Sequence, residues 1–171
     1  MLVVDASCLG EVLVNGQLAD SVRLRLSRDS EHAAPHVIDV DVFGLIRRQR
    51  SMEAIDETAA ALAVEDLSLW PGERFGHRAL LKRAWELRAT VPGWDAMYVA
   101  LAEVLEVPLI TLDGRLARAT GPRCVIELIL SPRNCVRLSG LHLLDPGCGR
   151  VGRPSGRMSV GRSYGLRDLR P

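Results

Sequence analysis

Short apolar runs alternate with longer amphipathic stretches along the first 130 residues, and most of the short runs stop at an acid or a turn. Leu2 to Val4 is the first such run, the pattern of a strand buried on both faces. Ala6 to Val14 then reads as a helix ended by Asn15-Gly16. Leu18 to Ser27 predicts a second helix, with arginines set between apolar positions. Pro35 punctuates the chain, and Val37 to Arg50 predicts a third helix. An Ala-rich fourth helix follows over Met52 to Val64, with Asp66 to Trp70 as a candidate short strand before Pro71-Gly72. Arg78 to Ala89 predicts a fifth helix, stopped by Pro92-Gly93. Asp95 to Leu105 is the sixth, and its composition is the most helix-favouring in the chain. Pro108 to Thr111 reads as a buried strand, Arg115 to Ala119 as a short helix, and Cys124 to Leu130 as a last strand. This alternation predicts an α/β domain: a short central parallel sheet flanked by helices on both sides.

Beyond Leu130 the pattern stops. Ser131 to Pro171 holds seven of the fifteen glycines, with repeated Gly-Arg and Arg-Pro steps and no sustained periodicity. Such a stretch buries too little apolar surface to offset its ordering entropy, so it is expected to be mostly disordered apart from an apolar patch at Val136 to Leu144. The expected organisation is one domain over residues 1–130 and an Arg/Gly-rich tail over 131–171. Charge divides at the same place. The net charge of +1 combines 14 basic and 19 acidic residues in 1–130 with eight arginines and two aspartates in the tail.

Composition narrows the chemistry. At 171 residues the chain suits one domain with a sizeable core. Aromatic residues make up 4%, too few for a sheet that stacks RNA bases on rings. Cys8, Cys124, Cys135 and Cys148 form no CxxC pair and have no histidine at zinc-ligand spacing, as expected of free thiols in a reducing cytoplasm. The start, Met1-Leu2-Val3-Val4-Asp5, lacks a basic n-region, and no apolar run nears the ~18 residues of a membrane span. A soluble, cytoplasmic protein is expected.

Four aspartates stand out against this background. Asp5 closes the first apolar run, Asp41 interrupts the apolar residues of the third helix, Asp95 opens the sixth, and Asp113 follows Pro108 to Leu112. In parallel α/β sheets ligands bind beyond the carboxyl ends of the strands, where Asp5 and Asp113 fall. Four carboxylates in one crevice repel one another unless a cation intervenes, and hard oxygen ligands suit Mg²⁺ or Mn²⁺. Each acid also has a structural alternative. Asp5, Asp95 and Asp113 are placed to cap helices. Asp41 lies on the flank of an apolar stripe, between Val37 and Leu45, where Arg48 is a possible neutralising neighbour; Asp39 points away, toward Phe43 and Arg50.

Other chemistry finds little support. His32, His36, His77 and His142 are scattered, and no G-x-S-x-G surrounds Ser7. There is no P-loop, and no G-x-G-x-x-G follows a strand. Lys82, the only lysine, lies among arginines and apolar residues in a solvated helical pattern.

Val3-Val4-Asp5-Ala6-Ser7, Pro35-His36 leading into Val40-Asp41-Val42, Trp94-Asp95-Ala96-Met97-Tyr98-Val99-Ala100-Leu101-Ala102, and Leu109-Ile110-Thr111-Leu112-Asp113 with Arg115-Leu116-Ala117 occur in that order. In order and spacing, residues 1 to about 130 resemble a PIN-domain ribonuclease of the VapC type, the toxin of bacterial toxin–antitoxin pairs. The segment from Asp95 to Ala102 is the most specific part. The resemblance implies metal ligands at Asp5, Asp41, Asp95 and Asp113, with Ser7 and Thr111 supporting them through hydrogen bonds. It also implies Mg²⁺ or Mn²⁺, endonucleolytic cleavage of RNA, a small antitoxin and a homodimer. Three features depart from the family pattern. Position 41 is Asp where the family more often has Glu. Gly44 weakens its helix by roughly 1 kcal/mol relative to Ala. The tail has no counterpart in compact members; it is either an added RNA-binding arm or an end without function.

The function expected on this reading is metal-assisted phosphodiester hydrolysis, with the acidic domain relying on Arg47, Arg48, Arg50, Arg115 and Arg118, or on the tail, for RNA phosphates. Two alternatives stay open: an inactive PIN-like scaffold that binds RNA or a partner, and a metal-dependent phosphatase of small phosphoesters.

Overall fold

The computed structural model describes residues 1–130; the predicted tail over 131–171 lies outside the described residues. Five strands form one parallel sheet in the order β3-β2-β1-β4-β5. They are β1 (Leu2–Val4), β2 (His32–Pro35), β3 (Glu73–Phe75), β4 (Leu109–Thr111) and β5 (Ile126–Leu128). The helices are α1 (Ala6–Leu13), α2 (Ala19–Leu26), α3 (Val37–Ser51), α4 (Glu57–Leu69), α5 (Leu81–Glu86), α6 (Asp95–Leu105) and α7 (Gly114–Ala117). Register is fixed at the centre, where Val3 stands opposite Ala33 on β2 and Leu109 on β4.

Every residue of β1 and β4 is buried. Successive side chains of a strand point to opposite faces, so both faces of the sheet centre are covered. Helix α1 packs on α2, α3, α4 and β4, while α6 packs on α5, β1, β2 and β4. The core is mostly aliphatic, as the scarcity of rings predicts, with two buried rings: Trp70 after α4 and Tyr98 on α6, the latter fully buried. Gly10 lets α1 approach α3 closely, since a Cβ there would stand 2.7 Å from Leu45 Cδ1.

From β1 the chain builds toward β2 and β3 on one side, then returns to place β4 and β5 on the other. The strand order therefore reverses beside β1, and an open parallel sheet has its ligand crevice at such a point, beyond the carboxyl ends. That crevice lies between the ends of β1 and β4.

Several elements differ from the sequence expectation. Strand β2 occupies His32–Pro35, where only Pro35 as a breaker was read; its two alanines give almost no hydrophobic signal. The fourth helix runs over Glu57–Leu69 rather than Met52 to Val64, because Asp56 caps it by accepting the Ala59 amide at 2.7 Å. Asp66 to Trp70 is then the end of that helix and the residue after it, not a strand, and the strand comes later as β3. Arg74 anchors this edge: its guanidinium donates to the carbonyls of Leu67, Trp70 and Gly72 and to Asp39. The fifth helix is shorter than Arg78 to Ala89, being limited to Leu81–Glu86. Helix α6 matches its predicted bounds.

Candidate active site

The turn after β1 places Asp5 at the N-cap of α1, yet its side chain makes no capping bond. It turns instead toward β4. Thr111 Oγ1 donates to Asp5 Oδ2 at 2.8 Å, and Ser7 Oγ donates to the same oxygen. Both hydroxyls in turn accept amides of the β4–α7 turn: Leu112 N–H to Ser7 Oγ and Asp113 N–H to Thr111 Oγ1, each at 3.0 Å. A hydroxyl has one proton to give, so these two are committed to Asp5. The arrangement ties the end of β1 to the end of β4 and fixes the orientation of a carboxylate that is almost wholly buried.

Asp5 Oδ1 accepts no hydrogen bond among the described residues. The backbone amides of Ser7 and Ala6 lie beside the carboxylate. Burial pushes the Asp5 carboxyl above the usual range, against the hydroxyls of Ser7 and Thr111 and the nearby amides of Ser7 and Ala6.

Asp41 is half-buried on α3. Its neighbour is Tyr98, which donates its hydroxyl to Asp41 Oδ2 at 3.0 Å. Arg48, the neutralising neighbour considered from the sequence, is exposed and takes no part. Burial raises the Asp41 carboxyl, the Tyr98 bond opposes the shift, and Asp5 adds to it. The Tyr98 phenol is itself pushed up by burial and by the charges of Asp41 and Asp5. Two residues not read as functional from the sequence matter here. Tyr98 lies within the Asp95–Ala102 segment, and a tyrosine on an otherwise aliphatic buried face was the available signal. His77 accepts the Val37 N–H at the start of α3 at 3.0 Å, so it caps the helix that carries Asp41; sequence distance concealed it.

Asp95 is the first residue of α6, and Trp94 is the N-cap. Its carboxylate makes no hydrogen bond among the described residues. Burial and the charges of Asp5, Asp113 and Asp41 together push it up to about 6, with Arg115 in partial opposition. The charges of all three other acids therefore reach Asp95.

Asp113 behaves differently. It caps α7 by accepting the Arg115 N–H at 2.7 Å, and the Arg115 guanidinium folds back on it, Nη2 to Oδ2 at 2.8 Å. The Arg115 hydrogen bonds hold its carboxyl below the usual range, outweighing its partial burial. Of the three capping alternatives, only that of Asp113 is realised as a side-chain bond. Asp39 pairs with Arg74, Nη2 at 3.0 Å, rather than with Arg50, toward which the sequence placed it and which holds Glu57 instead.

The donor set consists of hard carboxylate oxygens, and Asp5, Asp41 and Asp95 each have an oxygen that no side-chain donor occupies among the described residues. This suits a divalent cation such as Mg²⁺ or Mn²⁺. Among the described residues no three acids, as their side chains are placed, form a group that could hold a metal ion; Asp113 is turned to Arg115. Of the arginines considered for RNA, Arg47, Arg48 and Arg118 are exposed, and Arg50 pairs with Glu57 at 2.9 Å.

Comparison with known proteins gives the family. The chain is 40% identical to ribonuclease VapC1 of Mycobacterium tuberculosis over 129 residues, which cover 74% of this chain and 96% of that protein. It is 38% identical to ribonuclease VapC12 of the same organism, over 75% of this chain and 99% of the relative. It is also 38% identical to ribonuclease VapC3, over 69% and 86% respectively. The family model described as PIN domain matches residues 2–122. With most of the described chain covered, and the acids set where its parallel sheet opens, the protein belongs to the PIN-domain family.

Proposed function

We propose that this protein is a metal-dependent endoribonuclease, the toxin of a toxin–antitoxin pair, acting in the cytoplasm. The observation that carries the reading is Asp95: a half-buried carboxylate without a donor, facing three other acids and pushed up to about 6. A structural acid is normally paired, and an unpaired one held among like charges in a cleft marks a functional site. The names of the relatives, all ribonucleases, give the reaction class.

On this reading Asp5, Asp95 and Asp113 hold one or two Mg²⁺ or Mn²⁺ ions, and Asp41 completes the set or orients the attacking water. A bound divalent ion lowers the pKa of coordinated water and offsets charge on the scissile phosphate. Ser7 and Thr111 fix Asp5 so that one oxygen stays turned to the crevice. Tyr98 steadies Asp41, whose side chain is shorter than the Glu more usual in the family. Exposed arginines of the domain, with those of the tail, supply phosphate contacts. The named relatives support a small antitoxin as partner, and a homodimer is part of the same proposal.

Cleavage of a structured RNA is tested with Mg²⁺ and with EDTA, beside a small phosphoester substrate. RNA cleaved internally only with the metal supports the proposal. Hydrolysis of the small phosphoester alone would make the protein a phosphatase, and RNA binding without cleavage would make it a scaffold.

A further inference from the structure

Arg115 is the one side-chain cation bonded to any of the four acids among the described residues. Its Nε stands 3.2 Å from both oxygens of Asp113, and Nη2 lies 2.8 Å from Oδ2. The backbone amide of the same residue independently holds Oδ1 at 2.7 Å. The guanidinium can therefore leave while the amide keeps Asp113 in place as the cap of α7. Leaving is cheap, because the Arg115 side chain is 80% exposed and such surface pairs are weak. Its charge also reaches Asp95.

We propose that Arg115 is a displaceable counter-ion of the crevice: it occupies Asp113 until a divalent cation takes that carboxylate, and is then released to grip an RNA phosphate. The cation competes for the same oxygens with twice the charge. The freed guanidinium is a planar fork at the rim of the crevice, suited to two phosphate oxygens. The exchange runs both ways. A phosphate that draws Arg115 away leaves Asp113 open to the cation, so metal and RNA strengthen each other's binding by the same factor. Arg115 is a positioning residue toward the metal and a contact residue toward RNA. The inference rests on the carboxylate metal site proposed above.

The test is Mn²⁺ affinity, read by electron paramagnetic resonance on the full chain without substrate, for the parent, Arg115→Ala, Arg115→Lys and Asp95→Asn. Arg115→Ala is expected to bind Mn²⁺ about two- to fivefold more tightly, the range a released surface pair allows. Arg115→Lys should fall between it and the parent, keeping the charge without the fork. Binding of a mixed-sequence phosphorothioate oligoribonucleotide to the Mn²⁺-loaded chain, compared with the same measurement in EDTA, gives the second readout. With Mn²⁺ bound, Arg115→Ala should lower the slope of log affinity against log salt by about 1, and by less in EDTA, where the parent's guanidinium stays on Asp113; an equal change in both would overturn the release. Unchanged Mn²⁺ affinity in Arg115→Ala, while Asp95→Asn loses it, would overturn the counter-ion role and leave the metal site standing. Parent-like Mn²⁺ affinity in Asp95→Asn would remove the metal site itself.

Discussion

Helix α6 carries two partly buried carboxylates eight residues apart, and the fold treats them in opposite ways. Glu103 is gripped by Arg83, Nε to Oε2 at 2.5 Å and Nη2 to Oε1 at 3.0 Å, and accepts the Arg123 amide at 2.7 Å. Burial would raise its carboxyl, but the Arg83 bonds, the Arg123 amide and both positive charges outweigh that and hold it below the usual range. Asp95, at the start of the same helix, has no donor and is raised instead. The fold thus supplies a cation to the carboxylate at the amino edge of β4 and β5. It withholds one from the carboxylate at the carboxyl edge. A chain able to neutralise Glu103, yet leaving Asp95 without a donor, is what the proposed ligand site requires.

Exchanging the two carboxylates for amides separates their roles. Asp95→Asn should lower RNA cleavage on the order of 10²-fold or more, the scale of losing a metal ligand, with the fold intact or slightly more stable in EDTA. Glu103→Gln should do the reverse. It leaves Arg83 with a weaker partner and costs about 1–3 kcal/mol in denaturant unfolding, while cleavage per folded molecule stays near the parent's. Cleavage within threefold of the parent in Asp95→Asn would break the comparison.

Thr111→Val removes the donor to Asp5 Oδ2 and the acceptor for the Asp113 amide without changing side-chain size much. Leaving a buried carboxylate oxygen and an amide short of partners should cost about 1–3 kcal/mol of stability and reduce cleavage. Unfolding curves and single-turnover rates measure the two effects.

The pH dependence follows from the raised acid. In the folded, metal-free chain the Asp95 carboxyl is pushed up to about 6, above the usual carboxylate range. Between those values the folded state holds more protons than the unfolded one, so stability rises as pH falls through 6 and the gain is complete below about 4. Melting in EDTA should therefore move upward from pH 7 to pH 5 relative to Asp95→Asn, which lacks this titration. The smallest effect concerns α3. A Cβ at Gly44 would meet nothing within 4 Å, so Gly44→Ala should stabilise by up to about 1 kcal/mol without altering cleavage.

What the sequence made legible depended on local signals. β1, α6 and β4 are dense in apolar residues and their bounds were readable to within a residue. β2 was not, because His32-Ala33-Ala34-Pro35 is a strand by its neighbours' pairing rather than its own pattern. The start of α4 turned on a single cap at Asp56, four residues inside the predicted helix. At the site, the four acids were visible because each breaks an apolar pattern. Their partners were harder to see. Tyr98 meets Asp41 across 57 positions and His77 meets Val37 across 40, contacts that only the packing of α6 and β3 against the rest creates. The pairing of Asp113 with Arg115 is local, but sequence gave no ground for setting it against the unpaired state of Asp95.

The central claim is that the crevice carboxylates await a cation, and thermal melting of the parent chain at pH 7.5 with and without Mg²⁺ or Mn²⁺ tests it most directly. A ligand that binds only the folded state stabilises it by about 2.7 kcal/mol at a hundredfold excess over its dissociation constant. The account predicts a melting temperature that climbs with metal concentration in the parent and in Glu103→Gln, and stays flat in Asp95→Asn. A parent chain whose melting temperature does not respond to either metal would contradict it.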